Sequence, residues 1–193
     1  VDDTLAYIKT QCATYTRANE NNVNKSLIRA IENTQLLTRY ESDGRPLATT
    51  EDLDRYIQEL RLTGILVLDP DGNLVLGQSS DSLSPEAILP YLQRDSVLVV
   101  ADRPRQTYAV RIDLPDGSYL DLAACGRLTQ PGIVVSCYHT NAAYAHRYDL
   151  TIQGLLMGYS IQSECTIAVA SGNQIIASND ETLVGTTVEQ SSV

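Results

Sequence analysis

The chain has neither phenylalanine nor tryptophan, while tyrosine occurs eleven times. Any aromatic wall of a cavity must therefore be built from Tyr, which brings a hydroxyl with each ring. Basic residues are scarce: 14 Lys and Arg stand against 24 Asp and Glu, for a net charge of −10. That balance argues against a nucleic-acid partner, because phosphate binding needs clustered Lys and Arg. The acidic surface reads first as a solubility device. Apolar runs such as Val97 to Ala101 are strand-sized, far short of the roughly 20 residues that span a bilayer. The two histidines and four cysteines form no Cys-x-x-Cys pair and no zinc spacing. No Gly-x-Ser-x-Gly elbow surrounds a serine, and there is no phosphate-cradling glycine loop. No catalytic residue, metal site or cofactor is expected.

What is present is a repeat. Ile65 to Gly77 reads as strand, Asp69-Pro70-Asp71-Gly72-Asn73 turn and strand, and Thr166 to Ser178 reads as strand, Gly172-Asn173 turn and strand. Each copy follows a helix-like stretch and leads into a polar segment that starts another short helix. A helix-then-hairpin unit used twice predicts two related modules in tandem. The first block runs 75 residues from Ile65 to His139 and the second only 29 from Cys165 to Val193, so the second module is expected to be incomplete.

The periodicities place the elements. Leu5, Ile8, Cys12 and Tyr15, then Val23, Leu27, Ala30, Ile31, Thr34 and Leu37, predict one long helix over residues 3–40. Its narrow stripe, near seven-residue in period, could also line a helix partner. Gly44 and Pro46 end it. Thr49 or Thr50 caps a second helix through Leu53, Tyr56, Ile57 and Leu60. Ser84-Pro85 opens a short helix to about Arg94, and Val97 to Val100 reads as a buried strand. Tyr108 to Asp113 and Tyr119 to Cys125 flank the Leu114-Pro115-Asp116-Gly117 turn, and Ile133 to His139 is the last strand of the block. A helix over 141–159 precedes the second hairpin. The class is α+β: a long N-terminal helix, an antiparallel sheet module, and the start of a second.

Cys125 and Cys137 are equidistant from Pro131. A hairpin centred there would set them opposite one another, within reach of a bridge; the alternative is two small buried thiols. Asp69-x-Asp71-x-Asn73 has the opening of a calcium loop, but Leu74 replaces its glycine and Ser80 its final Glu, so it reads as a turn. His139 and His146 have no obvious third metal ligand and read as capping or surface residues.

The long N-terminal helix, Gly64-Ile65-Leu66-Val67-Leu68-Asp69-Pro70-Asp71-Gly72, and Gln174-Ile175-Ile176-Ala177-Ser178-Asn179-Asp180 leading to Leu183-Val184-Gly185 together resemble the double-Cache (PAS-like) sensor domains of bacterial receptors. The resemblance implies residues 1–40 as the long helix, 41–140 as a membrane-distal ligand-sensing module and 141–193 as an incomplete membrane-proximal one. It also implies an extracytoplasmic location at the cell membrane, transmembrane helices outside this chain, and a cytoplasmic output such as a histidine kinase or a diguanylate cyclase. The Arg-x-Trp-Tyr stretch of the amino-acid-binding members has no counterpart, and Cys137-Tyr138-His139 stands near the end of the last distal strand.

A pocket in such a module lies between the sheet and the loops and helix covering one face. The candidate ligand contacts are Tyr108, Arg111, Tyr119, Asp121, Tyr138 and His139. An Arg with two or three Tyr can clamp a carboxylate, because guanidinium pairs bidentately and phenols add donors. Tyr108 and Arg111 should face opposite ways, while Tyr119 and Asp121 share a face. The expected function is a non-enzymatic small-molecule sensor that dimerises through its N-terminal helix. The competing class is a surface protein-interaction domain without a pocket.

Overall fold

The computed structural model describes residues 2–92, 94–148, 152–157 and 166–191, which fall into two compact units. One takes residues 23–147; the other takes 1–22 and 148–193. Helix α1 (Asp2–Ser42) supplies its first part to the second of these and its last part to the first.

In the 23–147 unit five antiparallel strands form one sheet. They are β1 (Gly64–Leu68), β2 (Leu74–Ser79), β3 (Thr107–Asp113), β4 (Tyr119–Gly126) and β5 (Ile133–Thr140), in the order β2-β1-β5-β4-β3. One face meets α1 and α2 (Thr50–Leu60). Ala30, Thr34 and Leu37 of α1, all fully buried, are three members of the predicted stripe. In α2 the Thr49 hydroxyl accepts the Asp52 N–H at the N-terminus, as an N-cap does. Leu53, Tyr56 and Ile57 then turn inward at helical spacing onto Ile65, Val67 and Val134. Each such buried side chain contributes about 1.5–3 kcal/mol.

The other face is covered by α3 (Pro85–Ile88), a 3₁₀ turn at Leu89–Tyr91 and α4 (Arg94–Ala101). Their Ile88, Leu92, Val97 and Val100 pack on Leu66, Leu68, Leu120, Leu122, Ala124 and Val135. Ser84 caps α3 as its sequence predicts, but the α-helix ends at Ile88 rather than near Arg94. Pro90 sits in the 3₁₀ turn that follows, where it has no N–H to continue an α-helical ladder.

Val97 to Val100 is helix, not strand. Val97 and Val100 are both 2% exposed whereas Val99 is 45% exposed. Burial thus recurs every three residues rather than every two. Three β-branched residues in a four-residue apolar run are too few for their own preference to override that packing. Gly126 permits the arrangement: a Cβ there would lie 2.2 Å from the Val100 carbonyl oxygen.

The β4–β5 register also corrects the cysteine reading. Cys125 pairs with Val134 and Cys137 with Leu122. The connecting loop closes through the Arg127 N–H to the Gly132 carbonyl, with Gly132 at φ 138°. Its centre therefore lies earlier than Pro131. The two thiols then fall on opposite faces of the sheet, since strand side chains alternate. Cys12, Cys125 and Cys137 are free thiols, and Cys165 lies outside the described residues.

In the other unit the predicted helix over 141–159 is described as α5 (Ala142–Tyr148) and α6 (Ile152–Met157), the latter belonging to this unit. The repeat hairpin is β6 (Ala168–Ser171) and β7 (Gln174–Ser178), turning at Gly172 and Asn173. Ile8 of α1, Leu156 and Ala177 form its small core. Gln153 clasps Ser178, donating to its carbonyl and accepting its N–H, both at 2.9 Å.

Candidate functional site

One end of the five-stranded sheet gathers Gly64 and Ser79 with Asp113, Tyr119 and Thr140. Strand alternation divides the six predicted contacts between two faces, and Tyr108, opposite Ala124, lies toward the other end of β3 and is not brought together with the rest. Arg111, Tyr119, Asp121 and Tyr138 lie on the α1 side, and Tyr108 and His139 on the other. Tyr108 and Arg111 point apart, and Tyr119 and Asp121 together, as the two-residue period requires.

On the α1 side Asp121 is 1% exposed. Its carboxylate accepts Nε and Nη2 of Arg111 at 2.6 and 2.7 Å, and the Ser26 hydroxyl of α1 at 2.5 Å. The Arg111 guanidinium stacks 3.8 Å from the Tyr119 ring centre. Tyr138 is directly opposite Asp121 in the β4–β5 register. Its hydroxyl accepts from Asn33 Nδ2 at 2.5 Å, and Arg29 lies 4.7 Å over its ring. Burial pushes the Tyr138 phenol up, and Arg29 and Asn33 only partly offset that. Further along, Thr34 and Ser136 hydroxyls meet at 2.6 Å, one donating to the other, and both lie within hydrogen-bond distance of the Ala30 carbonyl. The helix is thus tied to the sheet by a buried, hydrogen-bonded polar seam. Asp121 was legible as a polar residue inside an apolar strand, and Thr34, the partner of Ser136, as a member of the α1 stripe, yet Ser26 and Asn33, which meet Asp121 and Tyr138, had no local signal.

On the other side His139 Nδ1 is 2.7 Å from Asp81 Oδ2, and its backbone N–H donates to Thr63 Oγ1 at 2.6 Å. Asp81 in turn accepts the Leu83 N–H and the Ser79 hydroxyl. The His139 ring is nine-tenths buried. Its Nε2 is buried and has no partner among the described residues. With Nδ1 held by Asp81, Nε2 is an acceptor in the neutral ring and a donor in the protonated one. Such an unmet buried group marks a place where a water or ligand completes the structure. Asp116, in the β3–β4 turn, lies near enough for the imidazole to help hold its carboxyl down, after the Ser118 hydrogen bonds. Cys137, two residues before His139 on the same face, is raised by burial to about 12, so it is inert at neutral pH, and burial also raises Tyr108 further along the sheet.

No family model matches the chain, and no curated protein does. Several solved structures are similar to it. The ligand-binding domain of the Pseudomonas fluorescens chemoreceptor CtaA, in complex with L-serine, is 13% identical over 98% of this chain and 78% of its own, with a TM-score of 0.41. The sensor domain of the Vibrio cholerae histidine kinase DctB is 11% identical over 95% and 69%, with a TM-score of 0.42. The ligand-binding domain of the Pseudomonas aeruginosa amino acid chemoreceptor PctC, in complex with GABA, is 11% identical over 94% and 75%, at 0.37. Ligand-binding and sensor domains are the kind of structure this chain is similar to.

Proposed function

We propose that the chain is the extracytoplasmic small-molecule sensor domain of a transmembrane signalling receptor, non-enzymatic in itself. The observation that carries this reading is His139 Nε2, a buried polar atom held in place by Asp81 and left without a partner among the described residues. A ligand at that end of the sheet would meet His139, whereas Tyr108 lies nearer the opposite end of β3. The strand ends carrying Arg111, Tyr119, Asp121 and Tyr138 lie behind it. Through Asp121 those strands reach Ser26 of α1, so a shift in the sheet would be felt by the helix. A ligand transmits a signal only as far as it binds two arrangements of that contact differently.

In this reading residues 41–140 form the membrane-distal sensing module and 141–193 part of the proximal one. A second copy docks along α1, and the parent chain ends in a cytoplasmic output such as a histidine kinase or a diguanylate cyclase.

Thermal unfolding against amino acids, organic acids, amines, purines and divalent metals tests the sensor role. A ligand at a hundred times its Kd adds about 2.7 kcal/mol to the folded state. One chemical class should raise the midpoint saturably, and both His139→Ala and the gentler Asp81→Asn should abolish the effect. Saturable shifts that both variants retain, or none at all across the panel, would overturn the reading.

A further inference from the structure

The opposite end of the sheet holds a cavity of about 500 Å³ on the α1 side, within the range usual for small-molecule sites. Its apolar wall is Leu47, Val67, Val75 and Leu76. Leu47 and Val67 belong to the core, while Val75 is 63% exposed at the rim of the edge strand β2. Its polar wall is an ion pair. Arg127, from the β4–β5 loop, donates Nε and Nη2 to the two carboxylate oxygens of Glu41 near the end of α1. Both side chains are nine-tenths buried.

Three facts decide what such a wall can recognise. Glu41 is largely occupied: Arg127 donates two hydrogen bonds and Gln130 a third to its carboxylate, which offers about four lone-pair sites. A cation would therefore find at most one open lone pair there, beside the Arg127 guanidinium. Arg127 keeps donors, because Nη1 has no acceptor among the described residues. Its charge, however, is already neutralised by Glu41, and the C-terminal carbonyls of α1 nearby add partial negative charge. An anion would be repelled there, on a chain of net charge −10. An uncharged acceptor is what remains.

We propose that this cavity is a second binding site, separate from the His139 end, for an uncharged amphiphile: an aliphatic amide or ester whose carbonyl accepts from Arg127 Nη1 while its chain lies on Leu47, Val67 and Leu76.

Three probes of one chain length separate the possibilities: hexanamide, hexanoate and hexylammonium, titrated while amide proton–nitrogen spectra are recorded. Hexanamide should shift Gly44, Ala48, Val75 and Gln130 saturably, and bind at least about tenfold more tightly than either charged analogue, a difference of about 1.4 kcal/mol. Val75→Trp, which fills the rim and leaves the Arg127–Glu41 pair intact, should abolish those shifts. Arg127→Lys should weaken binding of hexanamide while leaving the spectrum folded. Equal or tighter binding of a charged probe would overturn the proposal. So would the absence of saturable shifts, shifts that survive Val75→Trp, or shifts clustered on His139 and Asp81, which would assign the compound to the other site.

Discussion

Asp121 of β4 takes the Arg111 guanidinium from its neighbouring strand and the Ser26 hydroxyl from α1 on one buried carboxylate. A carboxylate at 1% exposure is tolerable only because both partners are in place. The pair therefore specifies where α1 lies on the sheet more than it adds stability.

Removing one partner should show this. Arg111→Met strands the Asp121 charge and is expected to cost about 3–5 kcal/mol. The double variant Arg111→Met with Asp121→Leu should recover most of that loss. Urea unfolding of the two single variants and the pair measures it. A single variant costing under about 1 kcal/mol would mean that Asp121 is solvated.

Glu41 makes stability depend on acid. Burial alone would raise its carboxyl, but the hydrogen bonds and charge of Arg127, with Gln130 and Thr129, outweigh burial and hold it below the usual carboxylate range. Its folded pKa is thus below its unfolded value, near 4.3. The stabilisation is fully present above that value and is lost as pH falls through the folded pKa. Glu41→Gln should flatten the decline in unfolding free energy below about pH 4.3. An unchanged acid slope would show that Glu41 is not linked to folding.

Gly126→Ala should destabilise, because the new methyl would meet the Val100 carbonyl oxygen at 2.2 Å. Overpacking of this kind costs about 1–3 kcal/mol. Val99→Lys, on the exposed side of the same helix, should change stability by less than about 0.5 kcal/mol. If Val97 to Val100 were a strand, Val97 and Val99 would share a face and respond alike.

The thiols give a chemical check on the register. In the native protein at pH 8, Cys137, pushed up to about 12 by burial, and Cys125, also raised by burial, should resist iodoacetamide. After unfolding without reductant both should be alkylated, as intact mass would show. An unreactive pair under those conditions would mean a disulfide and a different β4–β5 register.

Much of this was legible because it is local. Ser84-Pro85 and Thr49 are caps, and a cap needs only its own first turn. Leu53, Tyr56 and Ile57 announce a buried helix face through their spacing alone. Asp69 closes its turn by accepting the Asp71 and Asn73 N–H groups, all within five positions. Where the signal was short, as at Val97 to Val100, period and propensity disagreed and only packing chose between them. Strand alternation set Tyr108 apart from Arg111 and Tyr119 beside Asp121, but which face lay under α1 depended on chain pairing that no local pattern encodes.

The sequence by itself determined the helix-and-hairpin order, the repeated turn, the tyrosine-only aromatic set and the acidic balance, because each follows from neighbours in the chain. The tertiary structure decided the β4–β5 register, the separation of Cys125 from Cys137, the burial of Asp121 beneath Ser26 and the meeting of His139 with Asp81. Those contacts join residues separated by long stretches of chain. They form only once the sheet has closed and each face has been claimed by its own helices, where burial makes an unpaired charge or donor too costly to keep.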